Sequence, residues 1–126
     1  MPENTFLLDA RELLQQSLVW DNHACMPLRP RDESFLDQLQ RAHRTGVDVV
    51  ALNVGFGPQT LQDHIRMLSA FRQWLAARSD LYVLAKNLAD IERARCEGKL
   101  AVFFDIEGMA PLDQGDHGLV ALLREL

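Results

Sequence analysis

Apolar residues recur along this chain with two different periods. Between Phe6 and Ser17, Leu7, Leu8, Ala10, Leu13 and Leu14 share one broad face, which predicts an amphipathic helix. Leu18 to Trp20 is a short strand candidate, and the two prolines of "PLRPRD" predict a loop because they deny helical continuation. Helical spacing returns over Glu33–Thr45, where Leu36, Leu39 and Ala42 lie on one side and Gly46 supplies the stop. "VDVVALNV" (Val47–Val54) is a β-branched run with the composition of a buried parallel strand. Leu61, Ile65, Leu68, Phe71 and Leu75 then mark the clearest helix, Gln59–Arg78.

"LYVLA" predicts another short strand. Asn87 is placed to cap a helix over Leu88–Cys96, which Gly98 ends. "KLAVFFDI" is the second strong signal for a buried strand, and Glu107 and Gly108 follow it at once. "APLDQGDHG" reads as a loop, and Leu119–Leu126 begins a further helix. A helix followed by repeated strand–helix alternation predicts an α/β fold with a parallel sheet. "VDVVALNV" and "KLAVFFDI" are expected to be adjacent or near-adjacent in that sheet. No fixed-period repeat or low-complexity linker divides the chain.

At 126 residues, 48% hydrophobic and 25% charged, the chain has the length and make-up of one globular domain. Its formal net charge of -5 argues against nucleic acid or anionic membrane as a partner, and the basic residues are scattered. No window approaches the roughly 18–20 apolar residues a membrane helix needs. The N-terminus meets acidic residues before any long apolar run forms, so no signal peptide is expected. Cys25 and Cys96 are therefore expected to be reduced thiols of a cytoplasmic protein. Composition leaves homo-oligomerisation open.

The chemistry gathers at two strand ends, "WDNHAC" and "FFDIEG". In parallel α/β folds, functional groups collect where strands give way to loops at their C-terminal ends. His23 and Cys25 are two residues apart, so an extended backbone points both side chains to one side, where an imidazole and a thiolate can share a metal. Glu107 ends a strand of apolar neighbours, where an unpaired carboxylate is costly and a metal ion would offset the cost. Plainer readings stand beside these. Cys25 can be a small core residue, and Glu107 can pair with an arginine. Asp21 is a candidate either for the acceptor bonded to the other ring nitrogen of a metal-binding His23 or for strand-end structure. His43, His64 and His117 read as solvated or locally hydrogen-bonded, Cys96 as structural, and Trp20, Phe71, Trp74, Phe103 and Phe104 as core.

"LVWDNHACMPL" resembles the opening strand motif of the membrane (renal) dipeptidase family, which usually reads like D-x-H-x-D-x-P. "ADIERARCEGKLAVFFDIEGMAPLD" is similar to that family's second motif, a helix, then G-K, an apolar strand and E-G-G. The spacing between the two motifs fits as well, and the resemblance covers essentially the whole chain. It implies a (β/α)8 TIM-type barrel with a binuclear zinc site, Zn2+ being the cofactor and dipeptides the substrate. Carried over by position, His23 matches the first-strand metal histidine. Glu107 matches the carboxylate bridging the two metals and is the catalytic residue of the match. Cys25 falls where the family has a metal-binding aspartate, and Met109 where it often has a second glycine. Thiolate is a good zinc ligand, so Cys25 can substitute.

Such a barrel needs about 250 residues, so residues 1–126 read as its N-terminal part, a truncated chain expected to be inactive alone. The family's later metal histidines, its substrate-binding histidine and arginine and its late aspartate fall beyond Leu126. The resemblance thus implies a zinc-dependent dipeptidase as the parent protein. Two alternatives are a catalytically dead barrel-fold binding protein and another metal hydrolase of the amidohydrolase type.

Overall fold

A computed structural model describes residues 3–108 and 120–121, with residues 3–8 given by their backbone course. Over residues 3–108 the elements follow one another as α1 (Glu3–Gln16), β1 (Trp20–Ala24), α2 (Phe35–Arg44), β2 (Val49–Phe56), α3 (Leu61–Ala76), β3 (Tyr82–Leu84), α4 (Leu88–Cys96) and β4 (Leu100–Glu107). Met109, the loop expected over "APLDQGDHG" with its His117, and most of the last expected helix lie outside the described residues. Val120 and Ala121 are helical.

All strands are parallel, in the order β1-β2-β4-β3. Parallel neighbours cannot be joined by a tight hairpin, so each connection crosses over through a helix. "VDVVALNV" and "KLAVFFDI" become the adjacent central strands β2 and β4, from Val49↔Ala101 to Phe56↔Glu107. The third strand in the chain lies outside the fourth. It is short and pairs only with Leu100–Val102, the N-terminal part of β4. A plain barrel repeat would keep sheet order in chain order, and β3 departs from it.

The two faces of the sheet bury different elements. Val50, Leu52, Val54, Leu100 and Val102 face α2 and α3, packing on Phe35, Leu39, Met67, Leu68, Phe71 and Leu75. On the opposite face Val49, Val83, Ala85 and Ala101 meet Ile91 and Ala94 of α4. Those partners belong mainly to the N-terminal parts of the strands. Asn53, Asp105 and Glu107, at the C-terminal end of the sheet, are left out of both apolar clusters.

Local chemistry sets the helix ends. Thr60 and Asp63 form a reciprocal capping box, so α3 starts at Leu61 and the preceding Gln59 stays outside it. The Asn87 side chain accepts from Asp90 N–H as expected. Gly46 (φ 103°) and Gly98 (φ 66°) take the left-handed conformation that ends α2 and α4.

Ahead of α2, Asp32 accepts from the backbone and hydroxyl of Ser34 and pairs with Arg29. The Ser34 hydroxyl first, then the Arg29 guanidinium, lower its pKa to about 2. Because the folded value is depressed, these bonds contribute fully above the ordinary carboxylate range and are lost as pH falls through about 2. Side-chain carboxyl shifts followed by NMR should place the Asp32 midpoint near 2; a midpoint near 3.8 would mean the Ser34 and Arg29 bonds do not persist in solution.

Two expectations need correction. The first strand is Trp20–Ala24, not Leu18–Trp20. It pairs through the polar "DNHA" because ladder bonds to β2, and not side-chain hydrophobicity, hold it. Trp20 is not core but 46% exposed, stacked on Phe103 with ring centroids 5.4 Å apart. Of the two states expected for His64, the local hydrogen bond holds: the residue is buried, with Nδ1 donating to the Thr60 carbonyl at 2.8 Å. Phe71 and Trp74 do join Phe35 in an aromatic cluster under the sheet.

Candidate metal centre

Two irregularities at the C-terminal end of the sheet place the polar side chains. Between Asp21 and Ala24 the β1 register slips against β2, so Asn22 and His23 together oppose the single Ala51. Such a bulge re-aims side chains. Trp20 and His23 are three apart and would stand on opposite faces of a regular strand; with the bulge both turn to the face shared with Phe103 and Asp105. A second slip, between Asn53 and Phe56 of β2, brings Phe56 opposite Glu107. Asp21 settles into the strand end, its carboxylate accepting from the backbone N–H of His23 at 3.2 Å.

The structure brings His23, Cys25 and Glu107 together. His23 Nε2 lies 3.3 Å from Cys25 Sγ and 3.6 Å from Glu107 Oε2. One donor atom from each residue falls within 4.8 Å of the others. A tetrahedral zinc ion with bonds of about 2.0–2.3 Å separates its ligands by roughly 3.3–3.6 Å. The imidazole, thiol and carboxylate therefore fit one such ion in donor type, and the two distances from His23 Nε2 match its ligand spacing.

The plainer readings of these residues fail for physical reasons. Cys25 is exposed at the rim rather than packed in the core. Glu107 pairs with His23 and with Asn53, whose Nδ2 donates to Oε2 at 3.3 Å, and not with an arginine. The expected desolvation of Glu107 is also absent: its side chain is 54% exposed because the strand ends at the open edge of the site. Cys96 lies exposed at the end of α4, away from these groups. His43 bonds locally to the Val47 carbonyl and, across the fold, to the Gly98 carbonyl.

Sequence reasoning missed two residues. Asp105 accepts from His23 Nδ1 at 2.6 Å. Asn53, 1% exposed, reaches both Glu107 and, at 3.9 Å, Cys25 Sγ, while its Oδ1 accepts from Gly55 N–H. A signal was available for both, since each is a polar residue on a predicted buried strand, where it needs a partner, and Asp105 is also in phase with Glu107.

The Asp105 hydrogen bond, then its charge, raises the His23 pKa above 6.5, and Glu107 adds to the effect. With a raised folded value, this pairing stabilises the fold fully below 6.5 and is lost as pH rises through the folded value. An NMR titration of the metal-free protein should put the His23 midpoint above 6.5, and Asp105→Asn should lower it. Equal midpoints in the two proteins would remove Asp105 as the cause.

A cavity of about 320 Å³ opens beside the three donors, lined by Cys25, Met26, Leu28, Asn53, Phe56 and Glu107. It offers apolar walls on one side and polar groups on the other. No helix among the described residues is long and apolar enough to cross a membrane.

No family model and no curated protein matches the chain. Two crystal structures from Pseudomonas aeruginosa share its fold. An amidohydrolase aligns with a TM-score of 0.72 at 20% identity, over 91% of this chain and 33% of its own. The probable dipeptidase PvdM aligns with a TM-score of 0.73, also at 20% identity, over 95% of this chain and 36% of its own. The chain spans about a third of the length of these two structures. At that identity the likeness is one of fold, an α/β arrangement around a parallel sheet.

Proposed function

We propose that residues 1–126 are the N-terminal part of a (β/α)8 barrel domain of a zinc-dependent dipeptidase, with His23, Cys25 and Glu107 as metal ligands. The observation that carries this is the donor set itself, three ligating groups of suitable kind at 3.3 and 3.6 Å at the C-terminal end of a parallel sheet. The dipeptidase motifs around His23 and Glu107, and the fold likeness to an amidohydrolase and a probable dipeptidase, support the same reading.

A zinc ion bound there supplies Lewis-acid polarisation of a peptide carbonyl. The remaining work falls to the protein. His23 presents Nε2, Cys25 its sulfur and Glu107 Oε2. Asn53 restrains the Glu107 carboxylate from behind. Met26, Leu28 and Phe56 give the adjoining cavity an apolar wall able to take an aliphatic or aromatic side chain of a dipeptide. Three donors suit one ion; a second ion would need ligands from outside the described residues.

Cys25, standing where the dipeptidase motif has aspartate, favours a second reading: a barrel-fold binding protein that holds metal or ligand without turnover. Another amidohydrolase chemistry, on a cyclic amide or a similar small substrate, uses the same groups.

Metal analysis and a substrate panel on the protein carrying this chain test the proposal. It should contain stoichiometric zinc, lose dipeptide hydrolysis on chelation, and lose it again in Glu107→Gln. Zinc without turnover on any dipeptide points to the binding protein, and turnover on cyclic amides alone points to the other hydrolase. Undiminished dipeptide hydrolysis after chelation removes the metal mechanism.

A further inference from the structure

We propose that Asp105 is the positioning residue of this centre: its carboxylate holds the Nδ1–H of His23 and thereby presents a bare, aimed Nε2 to Cys25 and Glu107. The proposal rests on the metal-centre reading above and adds to it the group that makes His23 a competent ligand.

The geometry is specific. His23 and Asp105 belong to β1 and β4, which do not pair because β2 lies between them. Neighbouring strands are about 4.8 Å apart, so the two backbones are roughly twice that distance from each other. The 2.6 Å bond spans the middle strand and closes only because the β1 bulge turns His23 onto the face that Asp105 occupies. It is the one side-chain hydrogen bond Asp105 makes among the described residues.

The chemistry then leaves little freedom. A carboxylate accepts hydrogen bonds and does not donate, so Nδ1 carries the hydrogen. In the neutral ring Nε2 is the lone-pair nitrogen, and it is Nε2 that faces Cys25 Sγ at 3.3 Å and Glu107 Oε2 at 3.6 Å. Fixing the far nitrogen of a ligating histidine sets both tautomer and ring orientation and raises the basicity of the ligating one. Asp21 does not do this; its carboxylate accepts from the His23 backbone N–H.

Apart from its pairing with a protonated His23, Asp105 has no stabilising partner among the described residues. Its Oδ1 is buried with no hydrogen-bond partner. An unsatisfied buried oxygen is destabilising, and an apolar residue in its place would leave none. The residue is accounted for by the bond its other oxygen makes.

Two measurements on the protein carrying this chain test the proposal. Nitrogen-15 NMR of the metal-free wild type, at a pH where His23 is neutral, should show the Nδ1–H tautomer. Zinc affinity by chelator competition should fall about 10- to 100-fold in Asp105→Ala. Asp105→Asn should lie between wild type and alanine, because its amide oxygen still accepts from Nδ1–H but carries no charge. That near-isosteric variant keeps the test valid if alanine perturbs folding. An Nε2–H tautomer in the wild type overturns the proposal. So does wild-type zinc affinity in both Asp105 variants while His23→Ala binds poorly. Wild-type affinity in His23→Ala is a different outcome: it overturns the metal centre at this place, and the proposal with it.

Discussion

Phe71→Ala is expected to destabilise the protein by about 3–5 kcal/mol, the range for removing a buried aromatic ring from a packed core. Phe71 has no exposed surface and is among the largest fully buried side chains. Its ring lies 4.7 Å from Phe35 and 6.1 Å from Trp74, centroid to centroid, so one deletion opens the cluster that fastens α2 and α3 to each other and to the sheet. Neither neighbour can fill the space: Phe35 is itself fully buried, and Trp74 packs at the edge of the cluster. A domain has only about 5–15 kcal/mol of net stability, so this single change would remove a large share of it. Urea unfolding of both proteins gives the difference from the shift in midpoint at constant slope. A loss below about 1 kcal/mol would be that of a surface position and would contradict the packing of α3 on this sheet.

Gly55→Ala should cost about 1–3 kcal/mol, as overpacking does, through a mechanism the sequence does not reveal. A Cβ on Gly55 would stand 2.4 Å from His64 Cδ2 and 2.5 Å from its Nε2. The imidazole has nowhere easy to go. It is 2% exposed, and Nδ1 is tied to the Thr60 carbonyl at the start of α3. Gly55 also lies in the irregular segment that turns Phe56 towards Glu107, and its N–H donates to Asn53, so the clash is transmitted to the candidate site. A double-mutant cycle isolates the cause. His64→Ala makes room for the methyl group, so Gly55→Ala should cost distinctly less in that background. If the cost is the same with and without the imidazole, the close approach is not its source.

The contrast between Phe71 and Gly55 shows where periodicity stops being informative. Phe71 was legible because Leu61, Ile65, Leu68, Phe71 and Leu75 repeat at helical spacing, and a helix buries its apolar stripe whatever the rest of the fold. Even there, burial followed the real packing and not the simple stripe: Ile65 is 39% exposed, while His64 beside it is buried. The need for a residue without Cβ at position 55 depends on a side chain nine residues later, on another element. Trp20 shows the reverse error. Its size suggested core, yet it stands on the sheet face that α4 covers only around Val49, Val83 and Ala101.

The candidate site divides in the same way. His23 and Cys25 could be paired on paper because residues two apart on an extended segment share a side, and Glu107 stood out as a charge directly after an apolar run. Asp105 and Asn53 did not, because each is a single polar residue inside a run that otherwise reads as buried strand. Their partners are 82 and 54 residues away in the chain.

The sequence by itself therefore determined the strand–helix alternation, the two central buried strands and the caps at Asn87, Gly46 and Gly98, all of which depend on neighbours within a few residues. Only the tertiary structure decided the placement of β3 outside β4, the bulge that turns His23, and the bond by which Asp105 holds it. Strand order, register and cross-sheet hydrogen bonds are long-range quantities: a one-residue slip exchanges every side chain between the two faces, and nothing local along the chain records which face will be open.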